Sequence, residues 1–222
     1  MKKLFSLFLA ILMFCSCATA VTAEAGVSTV SNDGISIIPI SDMDSMSGWS
    51  GSALLDTTNP YQGRGSLAVS FEVVSAAGDI KFQYDHPTTT YDVSGMNYVC
   101  FDVYLSEADT FSDVEFELEL RSPGGTDFHE YRIKQTLSSF IVGTPQDGWN
   151  RVQVAIADMT RMGTPSSTSW SYLRFFNSAN ATVGSAGKTS TIKMDNAYFS
   201  DAAVSVGTSD AHPSWSTAPL SD

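Results

Sequence analysis

Cysteine, histidine and positive charge are all scarce in this chain of 222 residues. Of its three cysteines, Cys15 and Cys17 fall in the first twenty residues, so a chain cut behind that stretch keeps Cys100 alone and forms no internal disulfide. A lone cysteine in an alternating strand pattern reads as a small structural residue. His86, His129 and His212 are scattered, which offers neither a metal-ligand spacing nor a His-centred triad. Lys and Arg number 12 against 24 Asp and Glu, a formal net charge of -12. That balance argues against nucleic acid and against anionic membrane surfaces, both of which select for cations, and leaves neutral partners open. Long helical periodicity is missing too, so no Gly-rich loop opens onto a helix to cradle phosphate. The apolar run at 4–14 is too short to span a bilayer.

That run has the form of an export signal instead. Lys2 and Lys3 precede it, and 18–20 or 21–23 supplies a small-residue cleavage site, so 1–23 is read as a signal peptide. Phe14-Cys15-Ser16-Cys17 loosely resembles a lipoprotein cleavage box, which would place a lipid anchor on Cys17. Cleavage removes both lysines and no acid, moving the net charge from -12 to about -14. Residues 24–34 are small and polar and read as a flexible lead-in, 35–201 as one domain, and 202–222, with Pro213, Trp215 and Pro219, as a disordered tail or linker. The expected product is a secreted or cell-surface monomer with no membrane insertion beyond that anchor.

What the sequence has in abundance is alternation. Within 114–121, Val114, Phe116, Leu118 and Leu120 take one face of a strand, and Glu115, Glu117, Glu119 and Arg121 take the other. The pattern returns in 99–105, 151–156 and 172–175. Further strands are expected at 35–40, where Pro39 points to an edge, from Trp49, and at 66–71, 79–84, 128–134, 170–176 and 191–199. Turn signals at 59–65, 92–95, 122–126 and 144–149 separate them. Short helical turns near 137–141 or 157–162 would not alter the outcome: an all-β, antiparallel sandwich.

The order of several short motifs is familiar. Asp44 with Gly48-Trp49, Gly63-Arg64-Gly65-Ser66-Leu67, Trp149-Asn150-Arg151-Val152-Gln153-Val154 and Met194-Asp195-Asn196-Ala197-Tyr198-Phe199 together resemble carbohydrate-binding modules of the galactose-binding-like jelly-roll type, as attached to bacterial endoglucanases. The resemblance covers about 35–201 and implies a jelly roll that binds polysaccharide, a β-glucan or related plant or microbial glycan, without cleaving it. It also implies a structural calcium, with Asp44, Asp195 and the carbonyls near Tyr61 and Gly63 as its hard oxygen ligands. Here Asp stands at 44 where Glu is common. The plainer role for both acids is capping: Asp44 closing a turn and Asp195 accepting backbone amides.

The resemblance further implies a sugar site on the outward face of one sheet. A pyranose has an apolar CH face and a rim of hydroxyls, so its site needs aromatic rings beside side chains that fork hydrogen bonds. Outward positions counted from the core give Asp102, Tyr104, Glu119, Arg121, Arg132, Gln153, Tyr172 and Arg174, with Glu117 among them. Tyr104, Arg132 and Tyr172 join an outward direction to a useful side chain. Trp149 reads as core edge. A sandwich has two outer faces, and at least about half of such residues are expected to be ordinary solvated surface with mutual salt bridges.

Two alternatives remain at this point. Glu115-Phe116-Glu117-Leu118-Glu119 is similar to the catalytic strand of the laminarinase and lichenase family, which implies a glycoside hydrolase using Glu115 and Glu119. That family has Asp at the middle position, where this chain has Glu117. Retaining hydrolysis needs carboxyls about 5 to 5.5 Å apart. An adhesive or structural surface domain fits the same fold.

Overall fold

The computed structural model describes residues 29–30, 34–85, 90–122 and 129–204. The expected signal peptide, Cys17, most of the lead-in, His86, and the tail beyond Val204 lie outside the described residues. Strands run at β1 (Thr29–Val30), β2 (Ser36–Ser41), β3 (Trp49–Gly51), β4 (Leu54–Asp56), β5 (Ser66–Phe71), β6 (Val73–Val74), β7 (Lys81–Asp85) and β8 (Tyr98–Leu105). They continue at β9 (Glu115–Arg121), β10 (Glu130–Thr136), β11 (Gly148–Ala155), β12 (Thr160–Met162), β13 (Tyr172–Asn177), β14 (Val183–Gly184) and β15 (Ser190–Ser200). Two single-turn helices, α1 (Ala108–Phe111) and α2 (Leu137–Phe140), and a 3-10 turn at Ile156–Asp158 complete the described elements. None of these helices is long and apolar enough to cross a membrane.

The strands form an antiparallel β-sandwich with jelly-roll wrapping, the chain passing back and forth between two layers. In the seven-stranded sheet, β15 is the centre: β8 flanks it on one side with β11 beyond, while β5 and β2 share its other side, continued by β4 and β1. The six-stranded sheet has the order β12-β10-β9-β13-β7-β3, and β6 with β14 makes a separate ribbon. Every pairing among the described residues is antiparallel.

Register decides what goes inside. On β9, Phe116, Leu118 and Leu120 are fully buried; β13 opposes Leu118 with Phe175 and Leu120 with Leu173. Phe175 is the hub, stacked on Phe116 at 4.8 Å and meeting Phe101 from the other sheet at 5.0 Å. Phe140 of α2 reaches the same ring at 5.6 Å, which explains why a four-residue helix persists there. Burying each such ring contributes about 1.5–3 kcal/mol.

Two stretches differ from expectation. Thr29–Val30, inside the expected lead-in, pairs with Ile37 and Ser36, covering the first two residues of an edge that β2 would otherwise leave open. Behind β15, Asp201 exchanges hydrogen bonds with Ser36, and buried Val204 donates its N–H to Gln153 Oε1 at 2.7 Å. The first residues of the expected tail are therefore tied to the sandwich. Pro39 sits where β2 has β15 as its one neighbour, since β1 reaches only Ser36 and Ile37.

Candidate functional site

The eight residues expected to touch saccharide divide between opposite sides of the sandwich. Glu119, Arg121, Arg132, Tyr172 and Arg174 share the outer face of the six-stranded sheet; Asp102, Tyr104 and Gln153 stand on the outer face of the seven-stranded one. They do not make one site. Counting by twos along a strand separates in from out, but it carries no information about which sheet the strand joins.

On the six-stranded face the antiparallel register builds rows. Arg121 stands between Glu130 and Tyr172, Glu119 between Arg132 and Arg174 with Gln83 beyond, and Glu117 between Lys134 and Phe176 with Lys81 beyond. Buried Glu119 accepts Arg121 Nη2 at 2.7 Å on one oxygen and Arg174 Nη2 at 2.5 Å on the other. Arg121 Nε also donates to Glu130 at 2.9 Å. Each guanidinium covers a ring: Arg121 lies 4.5 Å from the centre of Tyr172, and Arg174 lies 4.4 Å from that of Phe176. Tyr172 is consequently 8% exposed, where a free outward ring was expected. Arg132 is exposed and only loosely paired, 3.9 Å from Glu130. Burial, with the neighbouring Glu119, pushes the Glu117 carboxyl up.

Five of the chain's 12 basic residues stand here, namely Lys81, Arg121, Arg132, Lys134 and Arg174, opposite five acids, Asp85, Glu115, Glu117, Glu119 and Glu130. In a chain of net charge -12 this face is balanced. Its donors and acceptors are fixed by one another, a lattice that can fork hydrogen bonds to hydroxyls. The Nε of Arg174 is buried with no acceptor among the described residues. Phe176, Gln83 and Lys81 share this face and are not among the residues expected from sequence. The Phe175-Phe176 pair was the available signal, since adjacent strand residues face opposite ways.

The seven-stranded face is built differently. Asp102, 2% exposed, accepts Arg151 Nε at 2.7 Å and Asn196 Nδ2 at 3.0 Å, and Arg151 Nη1 donates to the Tyr198 hydroxyl at 2.8 Å. Burial pushes the Asp102 carboxyl up, against the pull of Arg151. Gln153 holds Val204, and Cys100 is buried in a small cluster with Ile37, Tyr198 and Val204, its thiol pushed up by burial to about 11. Asp102 and Gln153 are thus structural partners. Trp149, expected at the core edge, faces outward opposite Tyr104; its ring meets Tyr104 edge-on at 5.6 Å and Tyr61 at 5.4 Å. These rings pack the 58–65 turn onto the sheet, with Lys193 Nζ 5.3 Å from the Tyr104 ring and 2.9 Å from Asp56.

Asp44 and Asp195 do converge on that turn. Fully buried Asp195 accepts the amides of Tyr61 and Gln62 at 2.9 and 3.1 Å on one oxygen, and of Asn196 at 2.7 Å on the other. Asp44 Oδ1 accepts Gly65 N at 2.8 Å and also Arg64 N. Gly63, at φ +65°, passes so close that a Cβ would lie 2.5 Å from Asp44 Oδ1. Both acids therefore fill the capping roles. Burial pushes Asp195 up to about 8, the nearby Asp102 and Asp44 adding to it against the amide donors. Among the described residues no group of three or more acidic, histidine or cysteine side chains gathers as a metal site.

Glu115 and Glu119 face the same way, four residues apart along β9, with their Cα atoms about 13–14 Å apart at strand rise. Glu119 is also committed to two arginines, and Glu115 to Lys134 at 2.7 Å, a bond that holds the Glu115 carboxyl low. Both carboxylates are thus engaged by cations.

No protein-family model and no curated protein matches the chain. The chain is similar in structure to carbohydrate-binding modules. A family 30 carbohydrate-binding module is 16% identical over 70% of this chain and 77% of its own, with a TM-score of 0.46. The family 30 module of a cellulosomal cellulase of Clostridium thermocellum is 18% identical over 66% and 81%, with a TM-score of 0.46. A xylan-binding domain from Paenibacillus barcinonensis is 14% identical over 73% and 93%, with a TM-score of 0.40. Likeness at these scores assigns neither a family nor a ligand.

Proposed function

We propose that the outer face of the six-stranded sheet binds a polysaccharide chain, a β-glucan or a related glycan, without cleaving it. The observation that carries this reading is the Glu119-centred lattice: two guanidiniums fixed by one buried carboxylate, each lying over an aromatic ring, beside the looser Arg132 and Gln83. Fixed planar donors lose little freedom when they grip vicinal hydroxyls, and half-buried Phe176 adds apolar surface for a sugar's CH face. Export through 1–23 belongs to the same reading, since plant and microbial cell-wall glycans are met outside the cell.

Affinity electrophoresis against glucans, xylan and mannan tests it. Retardation by at least one polymer with no release of reducing ends is expected, and Gln83→Ala with Arg132→Ala should weaken it about tenfold or more. Absence of retardation with every polymer, or retardation untouched in that double variant, refutes the assignment of this face.

Calcium at the 61–65 turn is the second part of the proposal. Asp44, Asp195 and turn carbonyls would hold it, and the ion would supply the positive charge that buried Asp195 lacks. Chelation should then lower the melting temperature by several degrees, and calcium should restore it. An identical melting temperature in chelator and in calcium removes the ion from the account.

A further inference from the structure

A pocket of about 200 Å³ opens at one end of the sandwich, between the layers rather than on either face. Its floor is apolar and buried: Leu120 from β9, Val93 from the turn before β8, and Trp170 just ahead of β13. Half-buried Tyr131 and Met96 form walls, and exposed Ser167 lies on the rim with Gly95. Gly95, at φ +88°, has no atom within 4 Å of where a Cβ would sit, so the mouth stays clear on that side. The rim is braced by backbone bonds: Val93 N donates to Ser167 O at 2.7 Å, and Tyr91 and Trp170 exchange N–H···O bonds at 2.6 and 2.9 Å.

Size and lining select a ligand class. An apolar cavity of about 150 Å³ holds one benzene, so this pocket holds a single six-membered ring with room for substituents. A purely apolar guest leaves the pocket's polar groups idle. The Tyr131 hydroxyl, the Ser167 hydroxyl and the Trp170 indole N–H make no hydrogen bond with the described residues. A guest with an apolar face for the floor and hydroxyls around its edge satisfies both sets.

We infer that this end pocket is a second, separate saccharide site that takes one pyranose unit, such as the terminus or side branch of a glycan. The inference shares its ligand class with the sheet-face reading and none of its residues. A chain lying along the six-stranded face needs several linked sugars; the pocket needs one.

Titration of the full chain with glucose, galactose, mannose and xylose, followed by saturation-transfer NMR and tryptophan emission, provides the test. Saturable binding of at least one monosaccharide is expected. Ser167→Phe, which fills the mouth from an exposed position, should weaken it at least tenfold, and Tyr131→Phe, which removes only a hydroxyl, at least threefold. Should Ser167→Phe misfold by circular dichroism, Tyr131→Phe decides. No binding of any of the four sugars overturns the inference, as does binding indifferent to both changes. Stabilisation by toluene with no sugar bound also overturns it, leaving a merely apolar cavity. Polymer retardation without monosaccharide binding defeats the pocket and keeps the sheet face; the converse result defeats the sheet face and keeps the pocket.

Discussion

Asp102 shows how much one buried charge can demand. Its carboxylate is matched by Arg151 and Asn196, and Arg151 in turn reaches Tyr198. Removing one member strands the other in a medium that solvates it poorly. Asp102→Ala should cost about 3–5 kcal/mol in urea unfolding, and the double change with Arg151→Met should recover most of that loss. Tyr172 carries a related warning for binding experiments. Its ring is 8% exposed beneath Arg121, so Tyr172→Ala should cost about 3 kcal/mol of stability and lower the melting temperature along with any affinity. Weaker retardation by that variant alone would therefore say nothing about sugar contact; Gln83 and Arg132 are the cleaner positions.

Strand β9 serves core and surface at once, and its two faces have unequal tolerance. Phe116, Leu118 and Leu120 fix its place against β13, while the outward row is ordered by charge. The row is not uniform along its length. Glu119 organises two arginines, whereas Glu115 at the other end meets one lysine that is nearly half exposed, a pairing worth at most about 1 kcal/mol. Glu119→Gln should weaken polysaccharide retardation tenfold or more, and Glu115→Gln should change it less than twofold. Equal effects would mean that the face acts through net charge and not through the arginine lattice. The alternation that names these outward residues is readable from sequence because it is local. Their neighbours are not: Arg174 meets Glu119 across a register fixed by residues 55 apart.

For the whole molecule, acidity and burial combine at Asp195. Its carboxyl is pushed up to about 8 by burial in the fold, against about 3.9 in an unfolded chain. Between those values the folded state keeps a proton that the unfolded state has released, so stability falls as pH rises through that window and levels off above it. In chelator, the melting temperature should decline steadily from pH 5 to pH 8, and Asp195→Asn should flatten the decline. A melting temperature that rises over this range would contradict the environment described for Asp195. The all-β class, the places of the main strands and the in-or-out direction of most side chains were determined by the sequence itself, because period-two alternation and turn chemistry act between near neighbours in the chain. Only the tertiary structure decided that Tyr104 and Tyr172 lie on opposite sides, that Trp149 faces out, and that Asp195 serves the 61–65 turn. It alone brought Val93, Leu120, Tyr131 and Trp170 around one pocket. Those outcomes depend on which strands become neighbours, and that is set by burying two apolar faces against each other across long sequence separations.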